Sequence, residues 1–189
     1  MRWEGLFDDL EAQFAAEQRR ELDAEIADRT RAERARIPLI ERIAASRSAR
    51  ISLSLVVGEG VVGRLVDFGE DWLLLREDVG REVLIPSAAI VGAVGLSDRS
   101  DPAVTARRFR LGYALRALAR DRAAVTVTDR SGTQVAGTID AVGQDWFQMS
   151  VHPVDVPRRS GAIRQRRTIP LAALVSVLSA GAQRDDEWG

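Results

Sequence analysis

The sequence predicts a mainly β protein: two small five-stranded barrels in tandem, each led by a helix, behind a long amino-terminal helix. Three observations predict it. An internal repeat spans most of the chain, each copy alternates apolar and polar residues with the period of short strands, and apolar stripes at helical spacing precede the copies.

The repeat is read by comparing the chain with itself. Residues 51–75 match 125–149 at an offset of 74, so that Gly58 falls on Gly132, Gly63 on Gly137, Gly69 on Gly143, Asp71 on Asp145 and Trp72 on Trp146. Further on the offset is 84, with Ile85-Pro86 on Ile169-Pro170 and Ala88-Ala89 on Ala172-Ala173. The second copy therefore carries ten extra residues between Ser150 and Thr168, which include Pro153, Pro157 and Gly161 and read as a hairpin excursion over about 151–167.

The elements follow in order. Trp3, Phe7, Leu10 and Phe14 recur at i, i+4, i+7 and i+11, and helix-forming Ala, Glu and Arg continue to about Arg36, which predicts a long surface helix over 1–36. Residues 1–28 hold nine acids and three Arg and residues 29–50 seven Arg and two acids, an order that complements the helix dipole. A short helix from Pro38 to Ala45 opens the first domain, 37–97. Ile51-Ser-Leu-Ser-Leu, the segment through Gly63-Arg-Leu-Val, Trp72-Leu-Leu-Leu, Val83-Leu-Ile and Ile90 to Val94 are its strands, with turns at Gly58 and Gly69. The second domain, 98–180, repeats this plan behind a helix between Pro102 and Asp121 whose stripe is Leu111, Leu115 and Leu118; 181–189 is an acidic tail. Five short strands in so small a unit predict closure, because closure removes the exposed edges.

Composition narrows the function. The 189 residues are 46% apolar and 29% charged, a globular balance, and 27 basic against 28 acidic residues give a net charge of −1, so no global field draws the chain to nucleic acid or to an acidic membrane. There is no Cys, which removes disulfides, thiolate zinc sites and thiol nucleophiles and fits a reducing cytoplasm. The acidic start and the absence of a long apolar run predict a cytoplasmic protein with neither leader nor membrane span.

Individual residues add little chemistry. Gly58-Glu-Gly60-Val-Val-Gly63 matches a dinucleotide fingerprint in form, but strand-like residues follow where that site needs a helix, so no cofactor is expected. His152, the sole histidine, is expected in a solvated loop; Asp71 and Asp145 are expected to cap turns and Trp72 and Trp146 to fill cores. With no activated nucleophile, tuned acid–base pair or metal cage in view, the expected class is non-enzymatic. What remains is an aromatic and basic helical face of Phe109, Tyr113, Arg116 and Arg120, within an arc of about 60° at helical spacing, and an Arg-rich hairpin with Arg158, Arg159, Arg164, Arg166 and Arg167. Both suit a nucleic-acid strand, although Phe109 and Tyr113 equally suit the seal between the barrels. The other reading is an interaction module, in which the Trp3, Phe7, Leu10, Phe14 seam and unpaired barrel edges hold another protein or a second copy.

The order helix, Gly-x-x-x-x-Gly-x-Ile/Leu, Gly-x-Asp-Trp and Ile-Pro-x-Ala-Ala-Ile/Leu resembles the Sm-like (SH3-like) small barrels, which include bacterial RNA chaperones; the likeness covers roughly 36–97 and 109–179. It implies tandem Sm-like barrels and raises the expectation of RNA binding. In that family a loop Asn and an Arg-Gly pair hold the bases; the corresponding places here read Gly69-Glu-Asp-Trp and Ile85-Pro-Ser-Ala-Ala, so those roles do not carry over. The opening Met1-Arg-Trp-x-x-Leu-Phe-Asp-Asp-Leu-Glu and the run Leu-Gly-x-Ala-Leu-Arg-x-Leu-Ala-Arg-Asp-Arg at 111–122 also resemble a family from high-GC Gram-positive bacteria sometimes labelled Fis-type regulators. Such a reader needs a helix-turn-helix, whereas Val125-Thr-Val-Thr directly after this helix reads as a strand.

Overall fold

The computed structural model describes residues 4–47, 49–97, 109–153 and 165–179. The chain forms two units, Met1–Pro38 and Leu39–Gly189.

The first unit is the helix α1 (Glu4–Arg34), about 46 Å long at 1.5 Å per residue. It ends slightly before the expected Arg36 because Ile37 precedes Pro38, whose ring disfavours helical backbone in the residue before it. Arg31 and Arg34 lie in its last turn, where they complement the dipole.

The second unit contains α2 (Leu39–Ala45), β1 (Arg50–Leu55), β2 (Val61–Phe68), β3 (Trp72–Arg76), β4 (Glu82–Pro86) and β5 (Ile90–Val94). Then come α3 (Leu111–Arg120), β6 (Ala124–Asp129), β7 (Gln134–Val142), β8 (Trp146–Val151), β9 (Gln165–Pro170) and β10 (Leu174–Ser179). A single 3-10 turn joins β4 to β5 and another joins β9 to β10. Gly58 and Gly132 take φ of 80° and 81° in the first turn of each copy, a conformation costly for any residue with a Cβ. Val61 opens a strand, so the segment after Gly58 and Gly60 is not a helix start.

All ten strands form one open antiparallel sheet, in the order β5-β1-β2-β3-β4-β10-β6-β7-β8-β9. The ladder differs here from the expected closure of each copy upon itself. β4 does not return to β5 but pairs with β10 of the other copy, through Val177↔Leu84, Leu178↔Val83 and Ser179↔Glu82. Pairing across copies satisfies the same backbone groups that closure would satisfy.

The registers of the two copies coincide at the offsets of 74 and 84. Ser52↔Val94, Leu53↔Ala93, Ser54↔Gly92 and Leu55↔Ile90 in the first copy become Thr126↔Leu178, Val127↔Val177, Thr128↔Ser176 and Asp129↔Leu174 in the second, with the same irregularity before the last pair.

Two hydrophobic clusters form the core. The first gathers Ile43, Ile51, Leu53, Phe68, Leu73, Leu75, Val83 and Ile85, together with Val175 from β10; the second gathers Leu111, Leu115, Val125, Val127, Ile139, Phe147, Met149 and Ile169, together with Trp72 and Leu84 from the first copy. Strands β3 and β4 are thus apolar on both faces, which is why Trp72-Leu-Leu-Leu and Val83-Leu-Ile are unbroken apolar runs. Their counterparts place Gln148 and Thr168 where Leu74 and Leu84 stand, so the second copy has one buried face.

His152 departs from its expected solvated loop. It is 3% exposed, because its N–H bonds the Ala136 carbonyl at 3.1 Å and holds the chain against β7 beyond the end of β8. Its Nδ1–H donates to the Pro153 carbonyl at 2.9 Å, and its Nε2 lies 2.8 Å from the Thr138 hydroxyl.

Candidate functional site

The residues Gly69-Glu70-Asp71-Trp72, between β2 and β3, organise the start of α3. A Cβ on Gly69 would collide with the Trp72 indole and the Phe109 carbonyl, so this position requires glycine. The Glu70 N–H and the Trp72 indole N–H both donate to that carbonyl, each at 3.0 Å. Asp71 Oδ1 accepts the Leu111 N–H at 2.6 Å, and the Glu70 carboxylate pairs with Arg110 at 3.1 Å. The expectation that Asp71 caps its own turn is corrected: its carboxylate caps the first turn of α3, 40 residues away.

Fixed in this way, Phe109 stacks on Tyr113 with ring centroids 4.4 Å apart and planes 23° apart. The pair borders an opening of about 570 Å³ where the copies meet, floored by Trp72, Leu74, Leu84, Leu118 and Val177. Both rings are 52% exposed, while Trp72 beneath them is 6% exposed. The charged residues lining the opening are Asp67, Glu82 and Asp121, all acidic.

The other residues singled out from the sequence are dispersed. Arg116 reaches the Gly143 carbonyl at 3.5 Å and Arg120 lies 3.9 Å from Asp121; both are exposed, and neither lines the opening. Arg166 and Arg167 lie in β9, the return strand of the β8–β9 hairpin, paired with Ser150 and Met149 at the positions that the 84-residue offset makes equivalent to Glu82 and Val83. Arg166 is exposed. Arg167 is held by Asp129 at 2.9 Å. Arg158, Arg159, Arg164 and the 181–189 tail lie outside the described residues, as does Trp3. In α1 the side chains of Phe7 and Leu10 also lie outside them, and Phe14 is 63% exposed.

Asp129 was not singled out from the sequence. Its carboxylate accepts the Ser131 hydroxyl at 2.5 Å, the Ser131 and Thr133 amides at 2.9 and 3.1 Å, and Arg167. The Ser131 hydroxyl is the main cause that holds its pKa below the usual Asp range, against the opposing effect of burial. Arg130 was missed as well: its guanidinium bonds the Ala172 carbonyl at 2.8 Å and the Ala88 carbonyl at 3.0 Å, equivalent positions in the two copies. An Arg after a strand carries no signal of such a bridge.

No family model, curated protein or solved structure matches this chain. Among the described residues no three His, Asp or Glu side chains gather to hold a metal ion, and no helix is long and apolar enough to cross a membrane.

Proposed function

We propose that this chain is a non-enzymatic protein-interaction module, whose opening at Phe109 and Tyr113 receives an apolar side chain of a partner flanked by a basic residue. The observation that carries the reading is a half-exposed aromatic stack above an apolar floor, bordered by carboxylates. Aromatic anchors in a desolvatable depression are what binding hot spots are made of, and the carboxylates at its border, Glu82 held by Arg76 at 2.7 Å and Asp121 lying 3.9 Å from Arg120 among them, disfavour phosphates and can accept a cation at the edge of the opening. The finer fold reading, two Sm-like barrels, belongs to the same proposal. It is supported by the common strand order 5-1-2-3-4 within each copy and by a core cluster centred on each.

Peptide display against the immobilised protein tests the reading. Selected sequences are expected to share an aromatic or branched anchor next to Arg or Lys, and Phe109→Ala with Tyr113→Ala to abolish their binding. The nucleic-acid reading rests on exposed Arg116, Arg120 and Arg166 together with Arg158, Arg159 and Arg164. It is tested by RNA and DNA titrations across a salt series. Binding that weakens with salt and is lost on replacing those arginines by Ala overturns the protein-interaction reading.

A further inference from the structure

Among the described residues the sheet ends on two strands that pair on one side only, β5 and β9. The internal repeat shows what a strand in the fifth position does when it has a partner. In β10 the equivalents of Val91 and Val94 are Val175, 0% exposed within the first copy's core cluster, and Leu178, packed against that cluster, because β10 pairs with β4. In β5, where that pairing is missing, Val91 is 65% and Val94 71% exposed. Their neighbours Gly92 and Ala93 carry no charge and the strand contains no Pro, so neither charge nor Pro blunts this edge; its register irregularity between Ile90 and Gly92 recurs between Leu174 and Ser176 of β10, where it does not prevent pairing with β4.

The opposite edge is defended. β9 is Gln165-Arg-Arg-Thr-Ile-Pro170, with two Arg and a terminal Pro. The apolar residues that receive β10 in the first copy have polar successors at this end: Leu84 becomes Thr168, Leu74 becomes Gln148, and Leu55 and Val83 become the ion pair Asp129–Arg167. A β9–β9 pair centred near Arg166 and Arg167 would set arginines opposite one another, and a valine edge laid against β9 would meet the ion pair where it needs an apolar floor.

We propose that β5 is the one edge at which this sheet continues, pairing antiparallel with β5 of a second copy about a two-fold axis, while β9 is closed to pairing. The occupant is argued from continuity with the β4–β10 junction: the fifth-strand position is a pairing position in this fold, and an antiparallel edge with no charge complements itself. One competent edge per chain makes the assembly a closed dimer that does not grow. The interface is a single short strand, so the dimer is weak and forms with rising concentration. The inference is independent of the Phe109–Tyr113 opening.

The experiment is sedimentation equilibrium of the full chain up to millimolar concentration, with amide hydrogen exchange at low and high concentration. A monomer–dimer equilibrium is expected, with exchange of β5 amides slowing as the dimer fills and that of β9 amides unchanged. Val91→Lys with Val94→Lys, at positions already exposed, should weaken the dimer at least about tenfold by setting cations on the edge. Val79→Lys, an equally exposed valine in the turn before β4, and Phe109→Ala with Tyr113→Ala should leave it unchanged. A monomer throughout, with β5 amides indifferent to concentration, overturns the proposal. So does open-ended growth that protects β9 as well, which is head-to-tail pairing, or a dimer insensitive to the two lysines.

Discussion

Asp129 stands where the first copy has Leu55, and together with Ser131 in place of Val57 and Arg167 in place of Val83 it turns an apolar contact into a charged knot. Its carboxyl titrates below the usual Asp range, so its ionised form is preferred in the folded chain. The stability this adds is fully present above the unfolded pKa, about 3.9, and is lost as pH falls through the lower folded value. Asp129→Asn is therefore expected to cost about 1–3 kcal/mol at neutral pH, with the gap between parent and variant shrinking below about pH 4. Urea denaturation at a series of pH values checks this, and a gap that persists into acid contradicts it. Asp71 gives a second residue-scale test. Its bond to the Leu111 amide caps α3, so Asp71→Ala should cost about 0.5–2 kcal/mol. Asp145→Ala, at the exposed equivalent, should stay within about 0.5 kcal/mol. Equal losses would show that both aspartates act through their turns alone.

Strands β3 and β4 differ from their counterparts by which faces they bury. Leu84 is 3% exposed against the second cluster, whereas Thr168 at the same register in β9 is exposed. Leu84→Ala is accordingly expected to cost about 2–5 kcal/mol by opening a cavity between the copies, and Thr168→Ala to change stability by less than about 0.5 kcal/mol. Thermal melts of the two variants decide it; matching melts would mean that the copies do not share a core through β4. The Gly-x-Asp-Trp motif behaves alike at this scale. In the first copy its carboxylates and indole seat α3, whereas in the second Asp145 is exposed and Trp146 is 39% exposed. The backbone turn is duplicated, with Gly69 and Gly143 each donating to the carbonyl of the following Trp, but the seating of a helix by the Asp and Trp side chains is not.

For the whole molecule, both core clusters are drawn from residues 40–178, so the second unit holds its own hydrophobic core. Residues 39–189 expressed without α1 should melt within a few degrees of the full chain, and a large drop in melting temperature would count against that autonomy. A single sheet shared by two copies also predicts one cooperative transition for that unit, because β4 and β10 contribute side chains to both clusters. Two separated transitions in calorimetry would contradict it.

The number of strands, their order in the chain and their turns were legible in the sequence, because the landmarks at offsets of 74 and 84 are the glycines and apolar positions on which turns and registers depend. The unbroken runs at Trp72 and Val83 even recorded that these strands are covered on both faces. Which edge β4 would join was not legible. Backbone N–H and C=O groups are the same on every strand, so closure within a copy and continuation into the next satisfy them equally, and only the packing of Leu84 and Trp72 beneath α3 and β10 decided between the two. The same holds for Asp71, His152 and Arg167: their residue types announced capping, a loop and phosphate contact, whereas their partners Leu111, Thr138 and Asp129 lie 40, 14 and 38 residues away and meet them only in the folded chain.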